Sequence, residues 1–248
     1  MPVDRAIWAE KFRTKLPNWP CPTCKKGHYS TRSEKLWTEE TGPSLDAHSH
    51  EAWDPDWIEQ RFVGLLQCGL PACREIASIS GSSQIDHYQT DWDEFETEQI
   101  YTVVYISPAP IPISIPDQTP DQIVEAVGRA SALIWSSSDS AANQLRQAIE
   151  ALMDDAGIAA SDANGKRIFL HNRIVEFQLG DQENGDVLLA TKWLGNSGSH
   201  VGTINRDHVL DAFDMIEFVL YNRYGTAKAE LLAKVAAVNA AKGPVTPP

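Results

Sequence analysis

The chain contains four cysteines, and they fall into two close pairs, Cys21-Pro-Thr-Cys24 and Cys68-Gly-Leu-Pro-Ala-Cys73. A CxxC carries two thiolates round one tight turn, so both reach a single tetrahedral ion. A second, slightly wider turn completes the shell. Gly69, Pro71 and the flanking Pro20 and Pro22 are residue types that such turns require. The spacing therefore predicts one structural zinc on Cys21, Cys24, Cys68 and Cys73, at the tip of a small β-rich ribbon. Four thiolates leave no coordination position for substrate, so this ion holds a fold together and performs no chemistry. Using all four cysteines for metal, rather than for bridges, predicts a reducing, cytoplasmic setting.

Composition limits what else the chain can be. At 248 residues with 42% hydrophobic content it is long enough for a sizeable core. No apolar run approaches the ~20 residues that span a bilayer, and the N-terminus lacks the basic start and apolar stretch of a secretory signal. No membrane partner is expected. The net charge is −13, with 18 acids and 10 bases in residues 1–120 and 16 and 11 thereafter. Neither half is the basic footprint of a protein that grips nucleic acid through its phosphates.

Five prolines in Ser107–Pro120 forbid a helix and predict a semi-rigid polyproline connector. Upstream, the runs at 61–66, 75–80 and 100–106 read as short strands, the first delivering Cys68 and the second leaving Cys73. A helix is expected over about Asp4 to Lys15, and an exposed irregular insertion over Lys35 to Pro55. Downstream the pattern is helical. Thr119-Pro120-Asp121-Gln122 predicts a capping box. Apolar spacing then predicts helices carrying Ile123 to Ile134, Ala141 to Met153 (closing at Gly157), Lys166 to Leu179, and Asp186 to a stop at Gly195. A further helix opens near Asn205, and the alanine-rich Ala227–Ala241 follows. The fold class is α+β: a zinc ribbon over 1–106, a connector over 107–120, an all-α bundle over 121–242 and a flexible tail over 243–248. On this division, loss of one thiolate is expected to unfold the ribbon and leave the bundle helical.

The segment Leu194-Gly-Asn-Ser-Gly-Ser-His200 holds two glycines, an amide and a titratable base between apolar helices. Taken alone, it is either a functional loop or a helix-ending turn whose His200 caps carbonyls. Arg146 and Glu150 are four apart, so they share one helix face and read equally as an ordinary ion pair.

The order CPxC, RFxGLLxC, a Pro-rich strand exit, SAANQLRQAIE and LGNSGSH, spread over Trp19 to Tyr224, resembles the bacterial family called domain of unknown function four-one-four-five. That family is grouped with the HEPN superfamily of helical bundles, many of them metal-independent, dimeric ribonucleases of toxin–antitoxin, abortive-infection and CRISPR-linked systems. The resemblance implies a HEPN-like bundle. The nuclease signature there is an arginine followed four to six residues on by histidine. His200 matches the histidine and Asn196 the polar position, but Gly195 stands where the arginine belongs. The nearest upstream base is Lys192. Such an arginine clamps phosphate, and its loss typically costs ~10²–10³ in rate.

Two functions follow. The first is a zinc-ribbon/HEPN-like module that recognises nucleic acid or a partner protein from a bacterial defence operon, without catalysis. The alternative is a ribonuclease using His200 with Lys192 or Arg146, steadied by Asn196 and Glu150. A homodimer is expected through the face bearing Trp193, Asn196 and His200, unless Trp193 fills the core. His48-Ser-His50 and the acidic stretch Asp91–Glu98 read as solvated segments rather than as sites.

Overall fold

The computed structural model describes residues 3–89, 95–197 and 204–244. Among them, six strands form one antiparallel sheet: β1 (Phe12–Arg13), β2 (Trp19–Pro20), β3 (His28–Glu40), β4 (Glu59–Cys68), β5 (Ile76–Gln89) and β6 (Phe95–Ser107). Their order across the sheet is β1-β6-β5-β4-β3-β2. The first two strands thus lie at opposite edges although a short link joins them. Edges of a flat six-stranded sheet stand about 24 Å apart at ~4.8 Å per strand. The chain from Arg13 to Trp19 spans at most about 21 Å when fully extended. The sheet therefore curls into a half-barrel.

One face is core. Along β4 burial alternates, with Phe62, Gly64, Leu66 and Cys68 inward and Arg61, Val63 and Leu65 outward. The strands are longer than expected. Polar residues continue them because the inward positions near the sheet's far end form a hydrogen-bonded trio. Ser83 Oγ donates to Gln60 Oε1 at 3.2 Å, and Gln99 Nε2 donates to Ser83 Oγ at 2.9 Å. A polar interior of this kind leaves no hydrophobic alternation to read.

Two other expectations for this half are corrected. In place of a helix over Asp4–Lys15 there is a single 3₁₀ turn, Arg5–Trp8, followed by β1. Trp8 and Phe12 are both buried, and Phe12 pairs with Tyr101. The Lys35–Pro55 segment is not an irregular insertion. It completes β3, forms α1 (Gly42–Ala47) and leads to a 3₁₀ turn at Pro55–Trp57. The buried Ser44 anchors it by donating to Glu40 Oε1 at 2.7 Å and accepting the Glu59 N–H at 3.0 Å.

The rest is helical: α2 (Asp121–Leu133), α3 (Ser138–Asp155), α4 (Leu170–Gln178), α5 (Gln182–Ser197), α6 (Arg206–Tyr224) and α7 (Ala227–Ala241). The expected capping box at Thr119 does not form, since α2 starts with Pro120 at its N-cap and no side-chain bond. The third helix begins at Leu170 rather than Lys166. The Asp162 carboxylate accepts the N–H groups of Asn164 and Lys166, and Gly165 turns the chain at φ +77. None of the described helices is long and apolar enough to cross a membrane.

The two halves share one core. Trp8 stacks on Trp135 at 5.3 Å, and Trp19 meets Trp135 edge-on at 5.4 Å. Arg206, at the start of α6, donates to the carbonyls of Ala9 at 2.6 Å and of Trp135 at 3.5 Å. Arg5 pairs with Asp211 and Asp214 of the same helix at 2.8 and 2.7 Å. The proline connector is seated, not free. Ile113 is buried, and the Ser114 N–H donates to Glu217 Oε1 at 2.8 Å.

Candidate metal centre and the basic residues of the helical half

Pairing of β3 with β4 brings the two cysteine turns together, because Tyr29 lies opposite Cys68 and the Gly69 N–H donates to His28 O at 3.0 Å. The two turns are built alike. The Cys21 N–H donates to Gly27 O at 2.9 Å, and the Cys68 N–H donates to Glu75 O at 2.8 Å. In each, the residue after the second cysteine is left-handed, Lys25 at φ 55 and Arg74 at φ 53. Neither is glycine, so no residue type marked these positions in the sequence.

The four sulfurs lie within 4.8 Å of one another, with Cys24 to Cys68 at 3.7 Å and Cys21 to Cys73 at 3.8 Å. A tetrahedron with metal–sulfur bonds of about 2.3 Å has edges of about 3.8 Å. The donor set therefore fits a tetrahedral, thiophilic cation. Gly27 makes the approach possible: a Cβ there would lie 2.5 Å from Cys68 Sγ.

Electrostatics point the same way. Backbone N–H groups of Lys26 and Gly27 hold the Cys24 thiol down to about 6. Cys73 moves oppositely, to about 12. The Glu75 N–H works downward on it, but burial and contact with the other three sulfurs prevail. Burial also pushes Cys68 up. Four touching sulfurs do not all ionise by themselves, whereas a dication in their midst lets them.

The expected nuclease constellation is only partly in view. His200 lies outside the described residues. Asn196 falls in the last turn of α5, its side chain likewise outside them. That helix corrects the expected stop at Gly195 by continuing to Ser197. A Cβ at Gly195 would meet Arg146 Cγ at 2.5 Å, so the glycine is a seat for the arginine stem and not a terminator.

Lys192 stands one helical turn before Gly195 on α5, where the Arg146 stem packs. Lys192 is 6% exposed, and burial followed by the Arg146 charge lowers its pKa. Its Nζ sits 3.5 Å from the centroid of the Trp193 ring, a contact worth ~0.5–2 kcal/mol. Trp193 itself is 55% exposed and does not fill the core. Glu150 does not pair with Arg146; it receives Arg167 at 3.1 Å.

The remaining candidates resolve as structural groups. His48 Nε2 lies 2.6 Å from Glu40, and the rings of His48 and His50 pack against Trp53 and Trp57. Of the acidic stretch, Asp91–Glu94 lies outside the described residues. Glu98 pairs with Arg13 at 2.8 Å. Sequence reasoning missed Arg173 and Arg206, both buried; arginines at helical starts carry no signal of burial.

Two family models match the chain. Residues 10–108 match a domain of unknown function, DUF8608, and residues 128–241 match another, DUF4145. No curated protein and no solved structure matches. The boundary after residue 108 coincides with the end of β6, and the helical match supports the resemblance carried by the SAANQLRQAIE and LGNSGSH segments, while the CPxC and RFxGLLxC segments fall in the other model. The sheet half of this chain thus matches the DUF8608 model and its helical half the DUF4145 model, both domains of unknown function.

Proposed function

We propose that the protein is a zinc-stapled recognition module of a bacterial defence or stress system, without catalysis of its own, whose sheet holds a partner protein. The observation that carries this reading is the outer face of the half-barrel. Trp37, Val63, Ser80 and Tyr105 line up across β3, β4, β5 and β6 by register. Trp37 is 66% exposed, Val63 55% and Tyr105 50%, with Leu65 and Val104 also open beside them. A contiguous apolar face of this kind on a folded domain marks an interaction surface. The closed sulfur shell supports a structural ion, and zinc is the cation this donor set suits best. The charge of −13 favours protein over nucleic acid as the partner. The defence setting rests on the HEPN resemblance of the helical half.

The alternative is the metal-independent ribonuclease, and one observation favours it: the Arg146 stem packs on Gly195, one turn after Lys192 and just before the segment that leads to His200. The two readings separate in one set of measurements. Purified protein incubated with mixed RNA in EDTA is expected to leave it intact. A protein encoded beside this one and co-expressed with it is expected to co-purify with the wild type and not with the Trp37→Ser, Tyr105→Ser variant. Cleavage leaving cyclic-phosphate ends and lost in His200→Ala overturns the non-catalytic reading, and equal co-purification with both forms overturns the docking face.

A further inference from the structure

The half-barrel has an open seam. Strand β3 is next to last in the sheet, but β2 covers it only at His28 and Tyr29. From Leu36 to Glu40 it has β4 on one side and, among the described residues, no strand on the other. Along an antiparallel pair the hydrogen bonds alternate, so each residue turns its N–H and C=O either to the neighbour or away from it. The Thr41 N–H donates to Glu59 O at 2.9 Å, which makes Glu39–Arg61 and Trp37–Val63 the bonded pairs of β3 with β4. Leu36, Thr38 and Glu40 therefore point their backbone groups at the open side. Their side chains are half-buried on the inside of the curl, while Trp37 and Glu39 face outward. A cavity of 450 Å³ adjoins this edge, lined by Leu36 and Thr31 of β3, Leu16 and Pro17 of the β1–β2 link and Tyr101 of β6. Thr31 Oγ1 is buried without a hydrogen bond.

A sheet edge with unpaired amides is a template for another strand, and folded domains blunt such edges with proline, a bulge or a covering loop. Strand β3 has a bulge between Thr31 and Leu36, but beyond it Leu36–Glu40 holds no proline. We propose that this edge receives an extended segment of the partner protein as an added antiparallel strand. The pairing rests on the reading that the sheet half holds a partner, and it adds how the partner is held. Register sets the chemistry of the segment, because residues opposite one another on paired strands send their side chains to the same face. The residue opposite Leu36 enters the cavity beside Leu16 and Tyr101, so it is large and apolar. The residue opposite Thr38 is β-branched, to pack on the half-buried inner surface. The residue opposite Glu40 is basic. Glu40 Oε1 already receives Ser44 at 2.7 Å and lies 2.6 Å from His48 Nε2, which leaves Oε2 for a cation. With side chains alternating along a strand, the antiparallel segment reads basic, any, β-branched, any, apolar. The net charge of −13 favours approach of such a basic segment.

The probe is a short fluorescent peptide with Lys-Thr-Val-Thr-Phe at its centre, titrated with zinc-loaded full-length protein. In the proposed register the amides of its lysine, valine and phenylalanine face β3, and those of its two threonines face away. N-methylation of the valine is expected to weaken binding at least about tenfold, and N-methylation of either threonine to change it less than about twofold. In hydrogen exchange the Leu36, Thr38 and Glu40 amides are expected to exchange fast in the free protein and to slow when peptide binds, with Trp37 and Glu39 protected throughout. Thr38→Pro removes one edge donor and no bond to β4, and is expected to lose the peptide; should that variant not fold, the methylated peptides decide. Strand addition is overturned by equal weakening from both methylations, or by no binding at about 1 mM peptide. Edge amides already protected in the free protein, by this chain or by a second copy, overturn it too. The outer face is read separately. If co-purification depends on Trp37 and Tyr105 while the methylated peptides bind alike, the docking face stands and strand addition falls. If only the valine methyl weakens binding while the Trp37→Ser, Tyr105→Ser variant co-purifies as wild type does, the edge stands and the face falls.

Discussion

Chemistry at the scale of single residues was legible where it is local. Two cysteine turns need only their own spacing to specify a tetrahedral donor set, and the 3.7–3.8 Å sulfur contacts follow from it. What lay outside the sequence were the residues whose role depends on a neighbour from elsewhere. Lys192 shares a helical stripe with the buried Leu188 and Gly195, so its position was readable, but a lysine normally argues for solvent. Gly27 carries no signal of its own in the sequence, yet its lack of a side chain lets Cys68 Sγ approach. Alanine there would force the two cysteine turns apart while keeping all four ligands. The Gly27→Ala variant is therefore expected to bind zinc about 10–100-fold more weakly, the usual cost of disturbing a metal site's supporting shell. Competition with a chromophoric chelator measures it, and an unchanged affinity would show that the turns adjust.

Among elements, amphipathic helices were the most readable, since Ile123 to Ile134 and Val209 to Leu220 each keep one apolar face. The ends were less so, because a cap is a competition between nearby residues. Thr119 has the sequence of a cap and does not act as one, while Asn205 does. Its Oδ1 accepts the His208 N–H at 3.0 Å, and His208 Nδ1 accepts the Asn205 N–H at 3.3 Å. A histidine thus fills the place usually held by glutamate in a capping box. Replacing Asn205 with alanine removes the Oδ1 bond while keeping the backbone N–H that His208 accepts, and is expected to cost about 1 kcal/mol in urea unfolding. A loss under ~0.3 kcal/mol would mean that Arg206, bonded to Ala9 O and Trp135 O, holds the helix start by itself. Glycine misled once, at Gly195, where close packing and helix termination call for the same residue.

At the scale of the molecule, two family matches and a proline-rich connector suggest two units that fold separately, and on that basis the helices would survive loss of the metal. The packing argues otherwise. Val3 and Arg5 fasten the N-terminal segment to Asp214 and Asp211 of α6. Trp8 and Trp19 of the sheet half enclose Trp135 of the helical half, and Arg206 ties Trp135 and Ala9 together. The connector rests on the metal centre, where Pro20, Cys21 and Pro22 face Ile111, Ile113 and Ile115 across a small cavity of 260 Å³. Unfolding the cysteine turns would therefore expose the underside of the connector and loosen the tryptophan cluster that α2, α6 and the N-terminal segment share. Burial of three tryptophans contributes several kcal/mol, a large part of a typical domain's whole stability. The Cys68→Ser variant is thus expected to lose helical and sheet signals together, in one transition at least 10 °C below that of the zinc-loaded wild type. Far-ultraviolet ellipticity at 222 nm, followed beside tryptophan fluorescence on heating, reports both halves. A helical signal that melts at the wild-type temperature while fluorescence changes early would restore the picture of two independent units.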